Sequence, residues 1–303
     1  MPEQWRDAIP HLPGNPEQEG QYILAQNIVY GHDDEAAQKL TLILPWAVSS
    51  AQENGTTYNR KYPLLVFVQG SGWTTPGFDY ELPQLVRYAQ MGYIVATVSH
   101  RSRLEGHPFP AFLQDVKSAI RFLRKNASYY AIDSDKVAIW GTSSGGNTAL
   151  LVGLTADDPR YETKDNEGFS DSVCAVVDCF GPADIPSMWD DAKGTMNEST
   201  NQQYDEIHKT IFDAERGDIS RQMKEISPYY QVKDGEKYPP FLLLHGTADT
   251  LVDDEQTVKM AERLHDAGCD VEAYLVDGAE HESTFWSKEV HAVIQNFLKK
   301  NLG

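Results

Sequence analysis

Short apolar runs rich in β-branched residues alternate along this chain with amphipathic patterns of helical period. The runs are Leu40–Leu44, Leu64–Val68, Tyr93–Val98, Val137–Trp140, Val173–Phe180, Phe241–Leu244 and Val271–Val276. The central ones are almost continuously apolar, as parallel strands covered on both faces require. Val271–Val276 (VEAYLV) is more alternating and suits a strand near the sheet edge. Between them, Phe112, Val116, Ile120 and Leu123 repeat at helical spacing after Pro110. Val258, Ala261 and Leu264 mark a second helix, which begins after Asp253 and Asp254 and stops at Gly268. Val290, Ile294 and Phe297 mark a third. Strands that alternate with helices predict one α/β domain over 1–303, with a mostly parallel central sheet flanked by helices.

The rhythm breaks once. About sixty residues separate Phe180 from Phe241, far more than a plain strand-to-helix connection needs. Two amphipathic patterns lie within them. Tyr204, Ile207, Ile211 and Phe212 follow Ser199 and end at Gly217; Ile219, Met223 and Ile226 follow Asp218 and end before Pro228. Residues 182–240 are therefore expected to form a helical lid over one end of the sheet.

Composition narrows the partners. The 303 residues carry a formal charge of −19, which repels nucleic-acid backbones and anionic membrane surfaces. No apolar run reaches the roughly 18 residues of a membrane helix. The polar, proline-rich start MPEQWRDAIPHLPGNPEQEG lacks a basic-then-apolar leader pattern, so the expectation is a cytoplasmic protein, or a mature secreted one without its signal. Cys174, Cys179 and Cys269 have no zinc-site spacing. Five residues apart on one strand, the first two point to opposite faces and are poorly placed to bridge; all three read as small buried core residues.

Candidate chemistry enters with Gly141-Thr142-Ser143-Ser144-Gly145, a G-x-S-x-G pattern. It directly follows the run Val137–Trp140 and precedes the helix-compatible run Asn147–Ala156, the strand–turn–helix setting of a strained nucleophile elbow. A serine hydroxyl needs a base. Of nine histidines, His281 stands in GAEHEST just beyond the strand Val271–Val276, at the sheet edge where catalytic groups of open α/β folds collect. His100 and His107 flank a loop and could line a pocket. His245 reads as structural, and His11, His32, His208, His265 and His291 as solvated. Asp249, in HGTADTLV after the strand Phe241–Leu244, is placed to orient the base; Asp253 and Asp254 read as the cap of the next helix. The order Ser143, Asp249, His281 is that of an α/β-hydrolase triad. His281-Glu282 does not open a zinc HExxH, since Phe285 occupies the last position, and GTSSGG lacks the Gly-Lys of a P-loop. Gln69-Gly70-Ser71-Gly72-Trp73 follows the strand Leu64–Val68, where an oxyanion loop belongs, and the amides of Ser71, Gly72 and Ser144 are the candidate donors.

GTSSGGNTALLV, HGTADTLV, GAEH and FPAFLQDVKSAIRFLRKNA resemble the lipase/esterase branch of the α/β-hydrolases. QGSGW and VVDCFGPADI are similar to the bifunctional carbohydrate acetyl and feruloyl esterases of gut and rumen bacteria. The resemblance spans roughly residues 60–300. It implies a serine esterase without metal or organic cofactor, acting on a small-molecule or oligosaccharide ester, with acetyl or hydroxycinnamoyl groups of plant cell-wall sugars as the acyl class. Trp73 and Trp189, with Tyr229 and Tyr230, are candidate aromatic surfaces for the acyl group. Gln69 departs from the usual HGG histidine, which mainly organises the loop, and could replace its hydrogen bonds. An aryl formamidase or peptidase on the same triad, and a binding protein without catalysis, are the alternatives.

Overall fold

The computed structural model describes residues 8–33, 36–56, 58–77, 79–189 and 198–303. Eight strands form one sheet: β1 (Tyr22–Asp33), β2 (Ala36–Pro45), β3 (Tyr62–Val68), β4 (Ile94–Val98), β5 (Ile132–Thr142), β6 (Ala175–Cys179), β7 (Phe241–Gly246) and β8 (Val271–Val276), in the order β1-β2-β4-β3-β5-β6-β7-β8. β1 and β2 pair antiparallel, as do β2 and β4; every other pairing is parallel. This is the α/β-hydrolase fold.

The described helices include α1 (Trp46–Glu53), α2 (Leu82–Gln90), α3 (Ala111–Lys125), α4 (Ser144–Leu154), α5 (Glu198–Ile211), α6 (Ile219–Glu225), α7 (Glu255–Asp266) and α8 (Lys288–Leu302), with a helical turn at Pro228–Gln231. They cover both sheet faces, and β3 shows how the sequence divides between them. Leu64, Val66 and Val68 join a core with Phe112 and Val116 of α3, Leu150 of α4 and Leu264 of α7. Leu65 and Phe67 face the other way, into a core with Leu85 of α2 and Ile294 and Phe297 of α8. Both alternating sets meet a protein layer, so β3 reads as a continuous apolar run. β8, at the edge, keeps none of its residues fully buried.

Strand β1 and helices α1 and α2 have no counterpart among the sequence-based expectations. β1 is an edge strand with two register breaks and a left-handed Asn27 (φ 59), so its side chains lose strict alternation. Of the three cysteines, all free, only Cys179 is fully buried. Cys174 and Cys269 are half-buried, which corrects the expectation for them.

One buried ionic cluster pins the long loop between α4 and β6 to α3. Asp171 Oδ1 accepts from Lys117 Nζ at 2.6 Å and Oδ2 from Arg121 Nη1 at 2.6 Å. Lys117 Nζ also donates to the Thr155 carbonyl at 2.5 Å. Burial pulls the Lys117 ammonium below the usual lysine range, and the Asp171 charge opposes that pull. Removing the shared carboxylate strands two buried cations. Asp171→Asn is expected to lower stability by about 3–5 kcal/mol, read as a shift of the urea unfolding midpoint; an unchanged midpoint would show the cluster to be energetically idle.

Candidate active site

The C-terminal ends of β3, β5, β7 and β8 share one edge of the sheet. The turn after β5 holds Ser143 at φ 52, ψ −125, a strained conformation for a residue with a Cβ. Glycines make the turn possible. A Cβ on Gly141 would lie 2.0 Å from the Gly145 carbonyl oxygen, and one on Gly145 would lie 2.0 Å from the Val68 oxygen of β3. Any side chain at either position would force the strands and the helix apart. The Ser143 amide donates to the Cys179 carbonyl at 2.9 Å, which locks the turn to β6.

His281 Nε2 lies 3.0 Å from Ser143 Oγ, and His281 Nδ1 lies 2.6 Å from Asp249 Oδ2. The structure thus joins all three residues singled out from sequence. An ionised Asp249 can only accept, so Nδ1 carries the proton and Nε2 is left to accept from the serine hydroxyl. Burial alone raises the Asp249 pKa. Hydrogen bonds from His245 and His281 outweigh that and hold the carboxyl below the usual carboxylate range. The amides of Leu251 and Val252 donate to its other oxygen at 2.8 and 2.9 Å.

His245 is structural, as its position suggested, but it serves the acid directly. Fully buried, its Nε2 lies 2.9 Å from the Val252 carbonyl and 3.2 Å from Asp249 Oδ2, while Nδ1 lies 2.8 Å from Thr257 Oγ1. Phe180 was missed by sequence reasoning; its ring packs edge-on against the His281 imidazole, centroids 4.7 Å apart. Asp254 holds the N-cap position of the helix after the acid, and Asp253 supplies the side-chain cap there, its Oδ1 accepting from the Glu255 amide at 3.0 Å.

The oxyanion loop differs from expectation in two respects. The Ser71 amide donates to Ser144 Oγ at 2.9 Å, so it is occupied and drops out as an oxyanion donor. Gly72, whose amide has no protein acceptor among the described residues, and Ser144, at the first turn of α4, keep theirs. Gln69 does not replace the missing histidine: its Oε1 is buried without a partner. Two hydroxyls beside the nucleophile hold the loop instead. Thr142 Oγ1 accepts from the Gly70 amide at 2.9 Å, and Ser144 Oγ accepts from Ser71. The only sequence signal was the pair of hydroxyl residues flanking Ser143.

Other expectations are corrected by packing. Trp73 is 2% exposed and packs near Phe112; Trp189 is 7% exposed and packs against Tyr204 and His208. Neither presents an open aromatic face. His100 is buried beside Phe112, and burial lowers its pKa. His291 is not solvated: its Nδ1 lies 3.0 Å from Tyr88 Oη, and burial, with the Arg87 charge, drives its pKa down to about 4.

Of the expected lid, residues 190–197 lie outside the described residues. Helix α5 lies across the site loops: Ile207 Cδ1 would sit 4.0 Å from a Cβ on Gly72, and Tyr204 Oη donates to the Leu251 carbonyl. Asn147 of α4 donates to Pro182 and Ile226 carbonyls, 2.9 Å each, and so ties the insertion to the nucleophile helix. Among the described residues no cluster of His, Cys, Asp and Glu could hold a metal ion.

A sequence model of the BD-FAE family matches residues 54–264. Esterase LipC of Mycobacterium tuberculosis is 29% identical over 265 residues, covering 86% of this chain and 60% of LipC. A truncated carbohydrate esterase from gut microbiota superposes with a TM-score of 0.70 at 25% identity, covering 95% of this chain and 98% of that one. A bifunctional GH43-CE chain of Bacteroides eggerthii gives 0.74 at 26% identity, covering 92% and 38%. The chain therefore spans 60% of the length of its curated relative LipC and a smaller part of the bifunctional chain.

Behind the elbow, the Asp178 carboxyl of β6 is fully buried and accepts from the Gly181 amide at 3.0 Å, while its Oδ2 has no partner. Burial pushes its pKa up to about 7. Between the ordinary carboxylate range and pH 7 the folded chain therefore keeps a proton that the unfolded chain has lost, and stability falls as pH rises through that window. Asp178→Asn removes this dependence. The stability of wild type relative to the variant is expected to decline by up to about 1.4 kcal/mol per pH unit from pH 4 to 7 and then level off. Urea titrations at stepped pH check this; a difference that stays constant would mean Asp178 is ionised throughout.

Proposed function

The chain belongs to the BD-FAE family, and from that membership we propose that it is a serine carboxylesterase that cleaves acyl esters through an acyl-enzyme. The observation that carries this reading is the unbroken relay from Ser143 Oγ through the His281 imidazole to Asp249, at 3.0 and 2.6 Å. Ser143 Oγ attacks the ester carbonyl carbon while His281 Nε2 takes its proton. The carbonyl oxygen becomes an oxyanion facing the Gly72 and Ser144 amides, with the N-terminal dipole of α4 behind it. Asp249 keeps its charge and stabilises the imidazolium. Collapse of the tetrahedral adduct expels the alcohol, which takes the proton from His281. Water then attacks the acyl-enzyme, giving its proton to His281; the second collapse returns that proton to Ser143 and releases the acid.

The carbohydrate class of substrate rests on kinship rather than on any pocket residue, through the likeness to a carbohydrate esterase from gut microbiota. Acetyl or feruloyl as the acyl group, on plant cell-wall carbohydrate, extends that reading from the resemblance of QGSGW and VVDCFGPADI to bifunctional acetyl and feruloyl esterases. The negative net charge is compatible with a neutral polysaccharide.

Ser143→Ala is expected to lower kcat by about 10⁴- to 10⁶-fold with little change in KM. A fluorophosphonate should label wild type at Ser143 and leave the variant unlabelled. Parallel turnover of acetate, ferulate and longer acyl esters against an aryl formamide and a peptide amide tests the bond and acyl class. Strong formamide or amide cleavage beside absent ester turnover would reverse the assignment.

A further inference from the structure

We propose that Arg103 is a positioning residue that ties helix α5 of the insertion to the oxyanion loop, so that α5 helps set the reaction rate. The inference rests on the esterase reading above, because it concerns the loop that would hold the oxyanion.

The loop needs such a support. Gly72 and Trp73 both adopt left-handed backbone, each at φ 58. That conformation is strained for a tryptophan and persists only where the surroundings impose it. The Gly72 amide is a donor for the oxyanion, and without a Cβ this residue has wide backbone freedom. The orientation of its N–H therefore depends on what holds the neighbouring peptide groups.

Arg103 holds two consecutive carbonyls there. Its backbone amide donates to the Trp73 oxygen at 3.1 Å, and its Nε donates to the Gly72 oxygen at 2.7 Å. The same guanidinium reaches α5 on its other side, where Nη1 donates to the Thr210 hydroxyl and approaches the Glu206 carbonyl at 3.4 Å. The side chain is buried. Arginine suits the position because its planar fork addresses oxygen acceptors on two sides at once, which a lysine ammonium on a flexible stem does not reproduce. Helix α5 is fastened across the site as well, since Tyr204 donates to the Leu251 carbonyl beside Asp249. It bridges the oxyanion side and the acid side.

The test compares wild type, Arg103→Leu, Arg103→Lys, Thr210→Val and the Arg103→Leu/Thr210→Val double variant. Each is assayed for kcat and KM on 4-nitrophenyl acetate and for affinity to a trifluoromethyl ketone, which forms a tetrahedral adduct with the serine. Arg103→Leu should lower kcat roughly 10- to 100-fold, change KM by no more than about threefold, and weaken the ketone by the same factor as kcat. Arg103→Lys should recover part of both losses. Thr210→Val should lower both quantities several-fold on its own and add nothing in the Leu background. A folded Arg103→Leu with wild-type kcat and ketone affinity overturns the proposal, as does a Thr210→Val effect that persists undiminished in that background. If Arg103→Leu does not fold, Thr210→Val decides alone, and unchanged kcat and ketone affinity overturn it. Failure of wild type to react with a fluorophosphonate would instead sink the esterase reading and is seen separately.

Discussion

Everything at the catalytic end depends on how closely the chain crosses itself around Ser143. Gly145 lies against the last carbonyl of β3, and Gly141 lies against the carbonyl of Gly145. No residue with a side chain fits either contact. That closeness forces the serine into its unusual backbone conformation and lifts its hydroxyl out of the sheet toward His281. It also brings the oxyanion loop against the elbow, where a Cβ on Gly70 would lie 2.8 Å from that of Ser143. Nucleophile and oxyanion donors are thus consequences of one steric fact.

Around that crossing, each catalytic group has its own support. Asp249 accepts from two imidazoles and two amides, and the second imidazole is itself fixed by Thr257 and Val252. His281 rests on Phe180. The oxyanion loop is held by hydroxyls at 142 and 144 on one side and by Arg103 on the other. A preorganised site of this kind needs little rearrangement when charge develops on the substrate, the condition under which fixed dipoles stabilise a transition state most.

The central sheet and the triad were legible because their signals are local or topological. β3, β7 and the Val137–Thr142 half of β5 are short, largely apolar stretches buried on both faces, and Ser143, Asp249 and His281 each follow a strand in the chain order that parallel connections bring to one edge. β1 was not legible, since an edge strand with two register breaks keeps no clean period. Side-chain partnerships across the fold were also hidden. Ser71 lost its amide to a hydroxyl 73 positions away, and no local pattern records that pairing. Trp73 and Trp189 could be recognised as large aromatics but not as packed ones, because their neighbours come from distant elements. His291 was avoidable: it stands three residues before Ile294 and seven before Leu298, on the inner stripe of α8.

The attachment of the insertion to the core bears on protein engineering. Its roots are held by Asn147 of the nucleophile helix, and α5 contacts the loops on both banks of the site. The segment between β6 and β7 is consequently not an interchangeable module. A chimera that borrowed it from a relative would have to carry matching residues at 103, 147 and 210, or the graft would disturb the very elbow it was meant to leave intact.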